Sequence, residues 1–188
     1  MSVLLHLLRH GAPELPGRMM GRTDVAPTPE GIAACVDQVA DLEIDVLISS
    51  DLSRAGKAAN AIAALSGRPL ITDARWRELD FGDWDGRAAS EIDPGALGRF
   101  WDDPDAHAPP NGERWTSLTA RVGAAIKEVS AGSTLVVTHG GAMRAALGVL
   151  CCFDQRQIWA FDLPYASLLS LKLWPGEKAA AQIVGLWP

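Results

Sequence analysis

Short apolar runs alternate along this chain with longer stretches in which apolar positions recur every three or four residues. Val3 to Leu8 is apolar on both faces apart from His6, the pattern of a central strand covered on two sides. Thr28 then Pro29 pairs an N-cap with a first helical position, and Ile32, Cys35, Val39 and Leu42 follow on one helical face. Asp45 to Ser49 reads as a second strand, followed by an alanine-rich helix that closes before Gly67. Gly56 inside that helix costs about 1 kcal/mol relative to alanine. Pro69 to Thr72 reads as a short strand. The stretch from Pro94 to Gly112 holds four prolines and three glycines and is expected to be irregular. Trp115, Leu118, Val122, Ile126 and Val129 mark the next helix, and Leu135-Val136-Val137, between Gly132 and Gly140, a short buried strand. Leu168 to Trp174 is expected as a further strand and Gln182 to Leu186 as an edge strand. Strands alternating with helices predict an α/β fold, a three-layer α/β/α sandwich on a mostly parallel central sheet. With no repeats and no linker, residues 1–188 are expected to form one domain, carrying a cap segment at 82–112.

Bulk properties narrow the class. Of 188 residues, 48% are hydrophobic and 21% charged, an ordinary globular balance. A net charge of −6 argues against nucleic-acid binding, so any anion site must be a local positive pocket. No apolar run approaches a membrane span, and the first one leads straight into a polar motif rather than a cleavage site. Three cysteines, with Cys151 and Cys152 adjacent, make no disulfide framework, and a reducing cytoplasm is the expected compartment.

The chemistry gathers at strand ends. Arg9-His10-Gly11 follows the first strand, Arg54 the second, and Thr138-His139-Gly140-Gly141 the strand ending at Val137. In open α/β sheets that edge binds ligands. With Glu78, in Arg77-Glu78-Leu79-Asp80-Phe81-Gly82, these groups suit transfer of a dianionic phosphoryl group through a phosphohistidine. A nucleophilic histidine must be neutral, which Arg9 and Arg54 would favour, and a backbone carbonyl on its other nitrogen would fix the tautomer. Arginine forks pair phosphate oxygens, and His139 with the Gly140 amide offers further donors. Guanidinium and imidazole stand where a two-metal enzyme would cluster carboxylates, and no metal or other cofactor is expected. Asp80, Asp83 and Asp85 compete with Glu78 as acid, and Glu113 is a supporting candidate. His6 reads as a core histidine, His107 as exposed, and the seven tryptophans as core and cap packing, with Trp84 and Trp101 the two candidates for substrate platforms.

The ordered series Leu-Leu-Arg-His-Gly, Gly21-Arg22-Thr23-Asp24, Ser49-Ser50-Asp51-Leu52-Ser53-Arg54-Ala55, Arg77 to Gly82, and Val137-Thr138-His139-Gly140 resembles the histidine phosphatase superfamily, the phosphoglycerate mutase-like group. The resemblance implies His10 as nucleophile and Glu78 as proton donor, with Arg9, Arg54 and His139 completing the catalytic set. It implies Arg9, Gly11, Arg22, Thr23, Arg54, His139 and Gly140 at the substrate, a small phosphomonoester. Ala12-Pro13-Glu14-Leu15 departs from the pattern of many relatives, and the span between Glu78 and His139 lacks the basic insertion of the mutases. A phosphatase is therefore expected, with a mutase or a non-catalytic phosphoprotein-binding module as alternatives. Arg-His-Gly-x-Pro followed by Gly-Arg-Thr-Asp-Val is similar to the α-ribazole phosphatase branch, which acts in cobalamin nucleotide-loop assembly. The sequence sets no oligomeric state.

Overall fold

Strand β1 (Val3–Arg9) is central because its side chains alternate between two apolar layers. Leu5 and Leu7 face one core, Leu8 the other, and all three are fully buried. Burial of each such side chain contributes about 1.5–3 kcal/mol. The computed structural model describes residues 2–130, 132–174 and 180–188. Among them, β2 (Val46–Ser49), β3 (Leu70–Thr72), β4 (Ser133–Thr138), β5 (Leu168–Trp174) and β6 (Ala180–Trp187) complete a six-stranded sheet in the order β3-β2-β4-β1-β5-β6. The first four strands in that order are mutually parallel, while β5 runs against β1 and β6 against β5.

Helices α1 (Pro29–Gln38) and α2 (Ser53–Ser66) cover one face of the sheet. Thr28 caps α1 through its hydroxyl, which accepts from Gly31 N at 3.0 Å. Ala55, Ala58 and Ala59 bring α2 close to the strands, and Gly67 ends it at φ 68°. Helices α4 (Trp115–Ile126) and α5 (Gly140–Cys151) cover the other face, with α3 (Pro94–Asp102) and α6 (Gln155–Trp159) beside them. The expected α/β/α layering and mostly parallel sheet are present. His6 is the buried histidine expected, its Nδ1 2.6 Å from Ser170 Oγ on β5.

Four expectations change. The segment from Pro94 is irregular only past Asp102: Asp93 caps Ala96 N at 2.7 Å, Pro94 holds the first position, and α3 buries Phe100 in the core. Helix α1 stops at Gln38, and Val39 and Leu42 pack from the turn that follows. Helix α4 likewise stops at Ile126, before Val129. The edge strand is longer than the apolar pattern marked, from Ala180 to Trp187. No helix among the described residues is long and apolar enough to cross a membrane.

Candidate active site

Arg9 closes β1 and Thr138 closes β4 in matching register, so His10 and His139 leave adjacent strands side by side. Their ring centroids lie 5.1 Å apart, edge to face at 60°. The chain leaves β1 for α1 on one face and β4 for α5 on the other, which makes this the switch point of the sheet. Gly11 is required by close approach: a Cβ there would stand 1.9 Å from the Gly31 carbonyl oxygen. His10 Nδ1 lies 2.8 Å from the Gly11 carbonyl. A carbonyl only accepts, so Nδ1 carries the hydrogen and Nε2 presents its lone pair. Burial is the main reason that His10 is pushed down to about 3, with the Arg54 charge next; the Gly11 bond opposes the shift and Arg9 adds to it. Both arginines act in the expected direction, and burial, which the sequence does not reveal, exceeds them. Burial, then Arg54, also hold His139 well below the usual histidine range.

Arg54 is wholly buried in the first turn of α2. Its Nε donates to His139 Nδ1 at 3.2 Å, which leaves the hydrogen of that ring on Nε2, 2.9 Å from Ser50 Oγ. Its Nη atoms donate to the carbonyls of Met20, Gly21 and Thr23 at 2.8–2.9 Å. Those carbonyls are aimed by Asp85, whose carboxylate accepts from the amides of Gly21, Arg22 and Thr23. Asp24 in the same loop accepts from Ser53 N at 2.7 Å and so caps α2 where Leu52 cannot. Arg54 thus has its plane set by a loop that two aspartates hold in place.

Glu78 sits at the start of α5. Its Oε1 accepts from Leu79 N at 2.8 Å and its Oε2 from Gly141 N at 3.0 Å. A Cβ at position 141 would lie 2.0 Å from Glu78 Oε1, so only glycine lets the carboxyl reach that amide. Arg121 steadies the segment from behind, donating to the carbonyls of Arg75, Arg77 and Glu78 while Glu113 pairs with it at 2.8 Å. The cleft so formed has a volume of about 280 Å³. Arg9, His10, Glu78, Gly140 and Gly141 make its floor, and Phe81, Phe100, Trp101 and Trp159 its aromatic wall. A wider hollow of about 550 Å³, lined from α3, α4, α5 and α6, contains none of the floor residues. Among the described residues, no group of three or more His, Cys, Asp or Glu side chains is placed to hold a metal ion.

In comparison with known proteins, the profile of the "Histidine phosphatase superfamily (branch 1)" matches residues 5–184. The chain belongs to the histidine phosphatase superfamily. This phosphatase is 32% identical over 164 residues to a glucosyl-3-phosphoglycerate phosphatase of Mycolicibacterium vanbaalenii, covering 78% of this chain and 73% of that one. It is equally 32% identical, over 158 residues, to a Yersinia pestis protein named a probable phosphoglycerate mutase, covering 78% and 74%. The structure of a mycobacterial glucosyl-3-phosphoglycerate phosphatase superposes with a TM-score of 0.84 at 25% identity, over 98% of each chain.

Within the phosphatase fold the expected site residues occupy different places. Arg9, His10, Glu78 and Gly140 line the cleft; Gly11 backs His10, and His139 and Arg54 lie buried beside it. Arg22 and Thr23 do not line it: Arg22 Nε meets Asp80 Oδ2 at 3.2 Å, and Thr23 offers its carbonyl to Arg54. Of the four competing acids, only Glu78 lines the cleft, since Asp83 accepts from Asn111 and Asp80 and Asp85 are bonded as described. Trp84 is a core residue against Phe100, whereas Trp101 is 41% exposed at the mouth. The sequence reading missed Arg144, Tyr165, Asp85 as a loop anchor, and Arg121. Tyr165 stacks under Arg9 at 4.4 Å and lies 5.5 Å from the His10 ring. Arg144 had a readable signal, four residues after Gly140 and hence one turn further along the same helix face.

Proposed function

We propose that this phosphatase hydrolyses phosphomonoesters through a phosphohistidine on His10. The observation that carries the proposal is the tautomer of His10: Nδ1–H on the Gly11 carbonyl, Nε2 free, in a ring that burial keeps neutral. Nε2 attacks phosphorus opposite the ester oxygen. The P–O bond breaks, its electron pair leaves with the alcohol oxygen, and Glu78, as general acid, delivers a proton there. Both Glu78 oxygens accept from backbone amides, yet each keeps a second lone-pair site for that task. Water then gives its proton to Glu78, attacks phosphorus and breaks the P–N bond, which returns His10 to neutrality. Arg9 and the amino-terminal end of α5 face the phosphoryl oxygens, and Arg54 and His139 set the field behind them.

The segment between Glu78 and His139 lends the cleft apolar residues, among them Leu79, Phe81 and Trp115, and no basic one. That favours release of phosphate over retention of a phosphorylated acid for return to a second hydroxyl, as a mutase requires. The pattern similar to α-ribazole phosphatases spans Arg9–Pro13, of which Arg9, His10 and Pro13 line the cleft floor common to any phosphomonoester, and Gly21–Val25, which holds Arg54 and does not line the cleft. α-Ribazole 5′-phosphate is therefore a compound for the screen on resemblance alone. The test is a phosphorus NMR screen of phosphomonoesters, including 3-phosphoglycerate, with and without chelator. Inorganic phosphate without isomerisation, unaffected by chelation, is expected. Isomerised 3-phosphoglycerate without released phosphate would make the enzyme a mutase, and loss on chelation with recovery by one metal would overturn the metal-free mechanism.

A further inference from the structure

Arg144 is a cation of the cleft that the mechanism above does not use. It stands on the second turn of α5, facing the same space as His10 and Glu78. Together with Arg9 it flanks Gly140: a Cβ there would meet Arg144 Nη1 at 3.2 Å and Arg9 Cζ at 3.4 Å. Two guanidinium groups therefore converge on one helix terminus, and among the described residues neither forms an ion pair with a carboxylate. The polar contacts of Arg144 are two long ones, to the carbonyls of Gly140 at 3.3 Å and Phe161 at 3.2 Å. Its Nε is buried without a partner. Charge of this kind is costly to hold in a half-buried place unless an anion answers it.

The guanidinium is also fixed in orientation. It lies over the Trp159 ring at 4.4 Å, and Trp159 meets Trp101 edge to face at 5.0 Å. A stacked guanidinium keeps its fork in one plane, the arrangement that suits bidentate pairing with a carboxylate. The other basic residue at the mouth, Arg18, is already occupied by Glu91 and the Gly86 carbonyl. Arg9, Arg54 and Arg144 bring three positive charges to the site. Arg9 and Arg54 balance a phosphate dianion, which leaves Arg144 for a further anionic group on the substrate.

We propose that Arg144 determines the specificity of this phosphatase by binding a carboxylate on the leaving alcohol, so that the preferred substrates are phosphate esters of hydroxy acids. The proposal rests on the phosphohistidine reading of the site. It assigns to α5 the basic group that the segment between Glu78 and His139 lacks, and it places any larger substituent of the alcohol against Trp101 and Trp159.

The decisive comparison uses D-3-phosphoglycerate and sn-glycerol 3-phosphate, which differ in a carboxylate against a hydroxymethyl group. The wild-type enzyme should favour the acid in kcat/KM by about ten- to a hundredfold, the range of a charge-assisted hydrogen-bond pair. Arg144→Gln should bring the ratio to within about twofold, chiefly through a raised KM for the acid, and Arg144→Lys should restore part of it. Phosphoenzyme formed from p-nitrophenyl phosphate reports whether each variant is folded and competent. Equal hydrolysis of the two esters by the wild type, or proportional loss on both in the Arg144 variants, would overturn the proposal and leave the phosphohistidine reading standing. So would a preference for α-ribazole 5′-phosphate over both. Absence of phosphoenzyme and of phosphate release from every ester would instead overturn the reading on which it rests.

Discussion

The two sides of the cleft are built by different means. On the floor, backbone atoms fix each reactive group: the Gly11 carbonyl orients His10, the Leu79 and Gly141 amides hold Glu78, and three loop carbonyls hold Arg54. On the wall, side chains fix one another: Phe100 against Trp101, Trp101 against Trp159, Trp159 against Arg144. Trp101 and Trp159 remain 41% and 36% exposed, whereas His10, Arg54 and His139 are buried. A floor tied to sheet and helix termini admits little change without loss of the chemistry. A wall made of side-chain stacks can be rebuilt residue by residue, and it is the part that meets the variable half of the substrate.

If that division holds, floor substitutions should damage turnover of every ester and wall substitutions should sort one ester from another. The largest effect is expected for Glu78→Gln, which keeps shape and hydrogen-bonding capacity but delivers no proton readily. Phosphoenzyme formation from an alkyl phosphate should slow by about 10² to 10⁴, and formation from an activated aryl phosphate much less. Burst kinetics are the measurement, because dephosphorylation also uses Glu78; equal losses for both esters would reduce Glu78 to a positioning group. Asp85→Asn touches the floor only through the loop that aims Arg54. It should lower kcat by about tenfold for acidic and neutral esters alike, with recovery in Asp85→Glu. A loss confined to KM for one ester would place Asp85 with the wall instead. Trp101→Ala should raise KM for bulky esters by about three- to tenfold and leave kcat nearly unchanged. A fall in kcat for all esters would erase the distinction between the two sides.

The buried histidines give the floor a signature in stability. His6, His10 and His139 all have folded-state pKa values lowered by burial. Below the unfolded value of about 6.5 the unfolded chain binds more protons than the folded one, so stability rises with pH there. The contribution is present in full above that value and is lost as pH falls from it toward about 3, where His10 itself titrates in the fold. The melting temperature should therefore be level from pH 7 to 8 and fall between about 6.5 and 5, before carboxylates enter, with a shallower slope in His10→Asn.

The same division explains what the sequence disclosed. β1, β4 and the residues just past their ends were legible because a buried strand is a continuous apolar run and the reactive groups follow it directly. Helix α5 was not read, since Gly140-Gly141 resembles a loop; the need for glycine comes from Glu78, far away in the chain. Arg54 taken alone reads equally well as a surface helix residue, and only folding brings the Met20 to Thr23 carbonyls that make its burial tolerable. Helix α3 carried a readable Asp93-Pro94 start that its prolines and glycines masked. The aromatic wall left no local trace, because its stacks join residues of α3 and α6 that no periodicity connects.

The central claim is that phosphorus passes through His10. The direct measurement is an alkaline quench during turnover of a phosphomonoester, followed by peptide mass spectrometry, since a phosphohistidine survives base and is lost in acid. The account predicts a single phosphorylated peptide containing His10, acid-labile, and absent from His10→Asn. A phosphorylated peptide elsewhere in the chain, or an adduct that persists in His10→Asn, would contradict it.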